Sequence, residues 1–135
     1  MLAQNFKSAA DLGITEPQRE ALMKTLVLLE TGKLIHVPVP SYRGRGEKFS
    51  HMFNMAAWRR GTECGTIACI GGTAELVGNT DFGVWQVLFN KALRRLFFRR
   101  LFFPDNLSDI TPTQAATALR SYLTTGNARW DLAVQ

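Results

Sequence analysis

The segment Cys64-Gly65-Thr66-Ile67-Ala68-Cys69-Ile70-Gly71-Gly72-Thr73-Ala74-Glu75-Leu76-Val77-Gly78 constrains the fold more than any other. Its small residues Gly65, Ala68, Cys69, Gly72 and Thr73 recur at spacings of three and four, which on a helix places them in one stripe of low side-chain volume. Such a stripe lets a second element approach closely, as small residues do wherever helix backbones meet. Glycine is a poor helix former, by about 1 kcal/mol against alanine, so packing rather than propensity has to decide this region. The pattern predicts a central, buried helix over about 65–77, beginning at Cys64 and ended by Gly78-Asn79.

Other helix signals flank it. Thr15-Glu16-Pro17-Gln18 has a capping residue, a proline in the first turn and a glutamine in capping-box position, and predicts a helix to about Thr31 with Gly32 at its stop. Thr111-Pro112-Thr113-Gln114 repeats the signal before a helix ending near Thr125-Gly126. The openings Ile14-Thr15 and Ile110-Thr111 match, which we read as one capping chemistry arrived at twice rather than as a duplication. Residues 1–13 read as an arm or short helix with Ser8 as a cap. Thr80 or Asp81 is expected to cap a long helix through VWQVLFNKALRRLFFRRLFF, broken near Arg99 or Arg100 and stopped by Pro104. Residues 33–48 form a basic Pro/Gly connector with room for an edge strand at Leu34–Val37, and 49–58 fit strand or helix equally. The resulting expectation is an all-α, single-domain bundle of four to five helices over 1–135, with at most a short strand or hairpin in 33–58.

The 135 residues suffice for a packed core, and nine Phe and three Trp supply bulky material for it. No apolar run approaches the roughly 20 residues of a membrane span, and the N-terminal stretch lacks the pattern of a secretory signal. With two cysteines there is no disulfide framework. The reading is a cytoplasmic protein without a membrane role.

Charge is concentrated. Lys33 to Arg60 holds six bases against Glu47 alone, and Lys91 to Arg100 holds five bases and no acid; each carries +5, so the remainder of a chain of net charge +5 is acidic. At about 100° per residue, Lys91, Arg94, Arg95 and Arg99 share one broad helix face, with Phe98 within or beside it. Leu93, Leu96, Phe89 and Phe97 lie opposite and are expected in the core. Arg43, Arg45, Arg59 and Arg60 are candidates to extend the same surface. Arginine and exposed phenylalanine suit docking to a protein partner; arginine and lysine also suit phosphate contacts with nucleic acid, the second reading.

Catalytic chemistry has little to stand on. A cysteine at a helix start has its thiolate favoured by the unpaired N–H groups there, and Glu63-Cys64-Gly65 superficially resembles the nucleophile region of some papain-like peptidases, so a cysteine-dependent enzyme with Cys64 as nucleophile is a third reading. No histidine follows Cys64, however; His36 and His51 both precede it. Cys64 and Cys69 point about 140° apart on a helix, and with the two histidines they complete the Cys/His stock, so no metal site is expected. Phosphate-cradling and dinucleotide motifs are missing as well. We expect no catalytic residues and no cofactor.

The run Cys64-Gly65-Thr66-Ile67-Ala68-Cys69-Ile70-Gly71-Gly72, followed by Leu101-Phe102-Phe103-Pro104 and Ile110-Thr111-Pro112-Thr113-Gln114-Ala115-Ala116, resembles small uncharacterised bacterial and phage proteins with a CGTxxC-I/V-x-G motif and later LFxP and ITPxQAA segments. The likeness spans roughly residues 50–131, and Thr73 stands where many of those sequences have a larger residue. The resemblance implies a compact helical protein, in some cases carried on mobile elements, and with it a protein-binding modulator or inhibitor of a host system.

Overall fold

Capping chemistry sets the frame. In the computed structural model, which describes residues 6–38, 44–62, 65–97 and 109–133, the elements in chain order are α1 (Ala9–Leu12), α2 (Glu16–Glu30), β1 (Ile35–His36), β2 (Met52–Phe53), β3 (Arg59–Thr62), β4 (Gly65–Ala68), α3 (Ile70–Gly78), α4 (Val84–Phe89), α5 (Lys91–Phe97), α6 (Pro112–Thr125) and α7 (Trp130–Ala133). Ser8 caps α1 by accepting the Asp11 N–H. Thr15 and Gln18 close a capping box at the start of α2, with bonds of 3.2 and 3.0 Å, and Thr111 and Gln114 close its counterpart on α6 at 3.2 and 2.9 Å. Ile14 and Ile110, just before the two caps, are both buried in the core. The two helices pack against each other, and α6 carries α7.

The architecture is α+β, which corrects the all-α expectation. The described residues form seven helices and a four-stranded mixed sheet in the order β1-β2-β4-β3. β1, β2 and β4 run parallel, with Ile35 opposite Met52 and Phe53 opposite Ala68; β3 is antiparallel to β4, with Arg60 opposite Ile67. β1 falls within 34–37, at the sheet edge, but the β3–β4 pair lies outside 33–58. Its second strand, Gly65–Ala68, occupies what reads as the first turn of the central helix. The physical reason is local: Thr66 and Ile67 are β-branched, and side-chain spacing over four residues cannot distinguish a strand from one helical turn.

α3 therefore begins at Ile70, with Cys69 as its N-cap, and ends at Asn79 in left-handed conformation (φ 49°). The low-volume residues do admit close neighbours, though from two elements rather than along one stripe. A Cβ on Gly72 would stand 1.5 Å from the Trp58 carbonyl oxygen, and one on Gly78 would stand 2.3 Å from the Ala21 Cβ of α2. Trp58 thus lies across the first turn of α3 and meets Phe97 edge-on at 5.1 Å, while Phe97 meets Phe82 at 5.0 Å. From α7, Trp130 is buried and its Nε1 donates to the Arg95 carbonyl (2.9 Å). No helix of the described residues is long and apolar enough to cross a membrane.

The expected long helix after Asp81 is two helices. Gly83, not Thr80 or Asp81, is the N-cap of α4, and it offers no side-chain cap. Asn90 (φ −107°, ψ 98°) interrupts the run. Its Oδ1 accepts the Leu93 N–H (3.0 Å), which starts α5, and its Nδ2 donates to the Leu12 and Gly13 carbonyls. The break expected near Arg99 or Arg100 lies outside the described residues.

Gly72→Ala should lower stability by at least about 1–3 kcal/mol, because the methyl has to displace Trp58 backbone. Gly83→Ala, with open space around its Cβ, should change the melting temperature little. Paired thermal melts read both; equal loss in the two would count against the packing described for α3.

Candidate functional site

A carboxylate inside a protein needs charged or hydrogen-bonding partners to offset the loss of water. Glu75, on the buried side of α3, collects them from three directions, and its side chain is only 3% exposed. Its Oε1 accepts the Trp58 Nε1–H at 2.9 Å and lies 3.3 Å from Arg59 Nη1; its Oε2 accepts the Phe82 N–H at 2.9 Å. Arg59 is itself 8% exposed and reaches Glu47 Oε1 through Nη2 at 2.8 Å, while its Nε donates to the Gly46 carbonyl. Arg45 Nη2 sits 3.6 Å from both Glu75 Oε1 and Asp81 Oδ1. These groups line a polar cleft of about 370 Å³ in which positive and negative charges already meet one another.

This arrangement separates the sequence-derived candidates. Arg45 and Arg59 are occupied by acids of the chain itself, so they do not extend a free basic face. Arg60 is half-buried on β3 and bridges to Arg45 through backbone. Lys91 is exposed, and Arg94 and Arg95 are half-buried, each with a buried Nε. Arg43, Phe98, Arg99 and Cys64 lie outside the described residues.

A surface that the charge pattern did not point to stands beside α5. In α4, VWQVLF, only Val87 faces the core. Val84, Trp85, Leu88 and Phe89 are 66%, 67%, 45% and 82% exposed, and they fall within an arc of about 140°. The rings of Trp85 and Phe89 stack on one another, centroids 6.0 Å apart and 17° from parallel. Phe89, expected in the core, is the most exposed of the four, because the interruption at Asn90 puts it in a different helix from Leu93, Leu96 and Phe97, which are buried. The signal available in the sequence is the absence of any charge from Phe82 to Asn90; with Asn90 read as a cap, residues 84 and 85 and residues 88 and 89 share one side.

The helix bearing this face is fastened at both ends. Gln18 and Gln86 exchange side-chain amide bonds of 2.8 and 2.7 Å, and Gln18 Nε2 also donates to the Asp81 carbonyl. At the other end Asn90 holds the Leu12 and Gly13 carbonyls, and Arg94 Nη1 donates to the Leu88 carbonyl at 3.0 Å. The aromatic face is therefore presented on a fixed support.

The remaining chemistry is sparse. Cys69 is buried and its sulfur accepts the Gly72 N–H; desolvation pushes the thiol up to about 12, so it carries no thiolate at neutral pH. His51 is exposed, with Nδ1 3.0 Å from the Lys33 carbonyl, a contact that calls for the proton on Nδ1. Among the described residues, no three His, Cys, Asp or Glu side chains are grouped to hold a metal ion. Compared with known protein families, with curated proteins and with solved structures, the chain matches none.

Glu75→Ala should destabilise by about 3 kcal/mol, since it takes the acceptor from the Trp58 and Phe82 N–H groups and leaves the Arg59 guanidinium with the exposed Glu47 as its one carboxylate; urea unfolding measures it, and a loss below about 1 kcal/mol would mean the pair is solvated. Cys69 should resist iodoacetamide at pH 8 in the native protein and react once denaturant is added, as followed by peptide mass spectrometry. Native modification at Cys69 would contradict its burial.

Proposed function

We propose that this chain is a non-enzymatic protein-binding module whose contact surface is the outward face of α4. The observation that carries the reading is the exposure of Val84, Trp85, Leu88 and Phe89 together on a helix held in place by Gln18, Asn90 and Arg94. Exposed apolar groups scattered singly are ordinary on protein surfaces; a contiguous aromatic and aliphatic face on a fixed support fits an interaction site. Burying a side chain of this size stabilises a complex by about 1.5–3 kcal/mol, and tryptophan is among the residues that dominate interface energetics.

Nucleic-acid binding has less support. It requires several cationic groups free to meet phosphates, and Arg45 and Arg59 already meet Glu75, Glu47 and Asp81, which leaves Lys91 and Arg94 among the described candidates. Val84 and Leu88 also offer no flat surface for a base. A cysteine-dependent reaction gains nothing from Cys69, whose thiol is buried and protonated. Following the resemblance to proteins of mobile elements, the partner would be a host protein that the chain modulates.

The double substitution Trp85→Ala/Phe89→Ala should leave folding stability within about 1 kcal/mol, since both side chains are solvent-exposed, while removing partners captured by the wild-type protein from its native host. Capture of the same partners by both proteins would exclude this face as the contact.

A further inference from the structure

Arg94 runs over the last turn of α4, directly beside the aromatic face, with Nη1 on the Leu88 carbonyl. Its Nε is buried and has no hydrogen-bond partner. Five of the described arginines, Arg19, Arg45, Arg59, Arg120 and Arg129, each have a carboxylate at 3.8 Å or closer. Arg94 has none among the described residues. Lys91, exposed on the same short helix, adds a second positive charge and no acid. The apolar face thus ends in a cationic edge that no acid among the described residues compensates.

Resting on the docking reading above, we propose that the occupant of this face is an acid-bearing amphipathic segment of another protein. It places an aromatic or aliphatic anchor against Trp85, Leu88 and Phe89, and a carboxylate against the Arg94 guanidinium. A charge-assisted bond of this kind is shorter and about twice as strong as a neutral one, and beside an apolar contact it selects among partners that the apolar face alone would accept equally. The α4 face of a second copy fits less well, because it brings Lys91 and Arg94 rather than a carboxylate. A phosphate or an anionic headgroup could meet Arg94, but neither accounts for the aliphatic half of the face, Val84 and Leu88.

The test is selection of a random-peptide phage library on the full-length protein, on Arg94→Glu and on Trp85→Ala/Phe89→Ala. Wild type should enrich peptides that combine Trp, Phe or Leu with Asp or Glu. Arg94→Glu should reverse the charge preference and weaken the best acidic peptide about tenfold or more, a factor that corresponds to about 1.4 kcal/mol; the double variant should enrich neither class. Should Arg94→Glu fold poorly, Arg94→Gln, which keeps a donor for the Leu88 carbonyl, should still lose the acid preference. Apolar peptides without acid bias, or acidic peptides indifferent to both Arg94 substitutions, would overturn the partner chemistry and leave the docking face standing. Enrichment that does not depend on Trp85 and Phe89 would overturn the docking reading as well. Two other results would also refute the proposal. One is a wild-type dimer in sedimentation that the double variant disperses. The other is binding to phosphatidylcholine–phosphatidylserine vesicles that the double variant loses.

Discussion

The contact between Glu75 and Arg59 ties together three pieces of the chain. Glu75 lies in the second turn of α3, Arg59 opens β3, and the Phe82 N–H that also binds the carboxylate belongs to the stretch leading into α4. Removing a carboxylate from water carries a penalty of several kcal/mol per ion, which the bonds from Trp58, Arg59 and Phe82 together offset. The same requirement fixes the sheet on the helix: Trp58 donates to Glu75 while its own backbone lies against Gly72, where no larger residue fits.

That junction also decides what the surface can be. A basic chain of net charge +5 suggests an electrostatic partner, yet two arginines of the first basic segment, Arg45 and Arg59, are answered by acids of the chain itself, Glu75 and Asp81 among them. Internal compensation leaves the uncharged turn-and-a-half of α4 and the arginine at its end as the more unusual exterior feature. In this molecule charge density along the sequence and charge available to a partner are different quantities.

What was legible in the sequence follows from how local each signal is. The capping boxes at Thr15 and Thr111, and the stops at Gly32 and Gly126, need only a few consecutive residues, and they appear in the structure with the expected bonds. The sheet was hidden because its strands are two to four residues long and pair across gaps of sequence, as Ile35 does with Met52 and Met52 with Ile67; so short a strand shows no alternation. Close packing around the glycines was readable from their size, but its partners were not, since Trp58 and Ala21 come from two separate, earlier stretches of the chain. The aromatic face was missed through a single residue: treating 81–103 as one helix sends Phe89 inward, whereas a cap at Asn90 sends it out.

Asn90 accordingly works as a phase shifter. An α-helix carries its orientation forward by a constant angle, so two faces on an unbroken helix can never be set independently. One non-helical residue, bonded forward to Leu93 and sideways to Leu12 and Gly13, frees α4 from the rotation that α5 needs to bury Leu93, Leu96 and Phe97. The outer face of α4 can then change its side chains without disturbing the core, while any insertion or deletion at this joint would turn that face relative to the rest of the molecule. Here the composition of the outer face is free to vary, and its bearing is not.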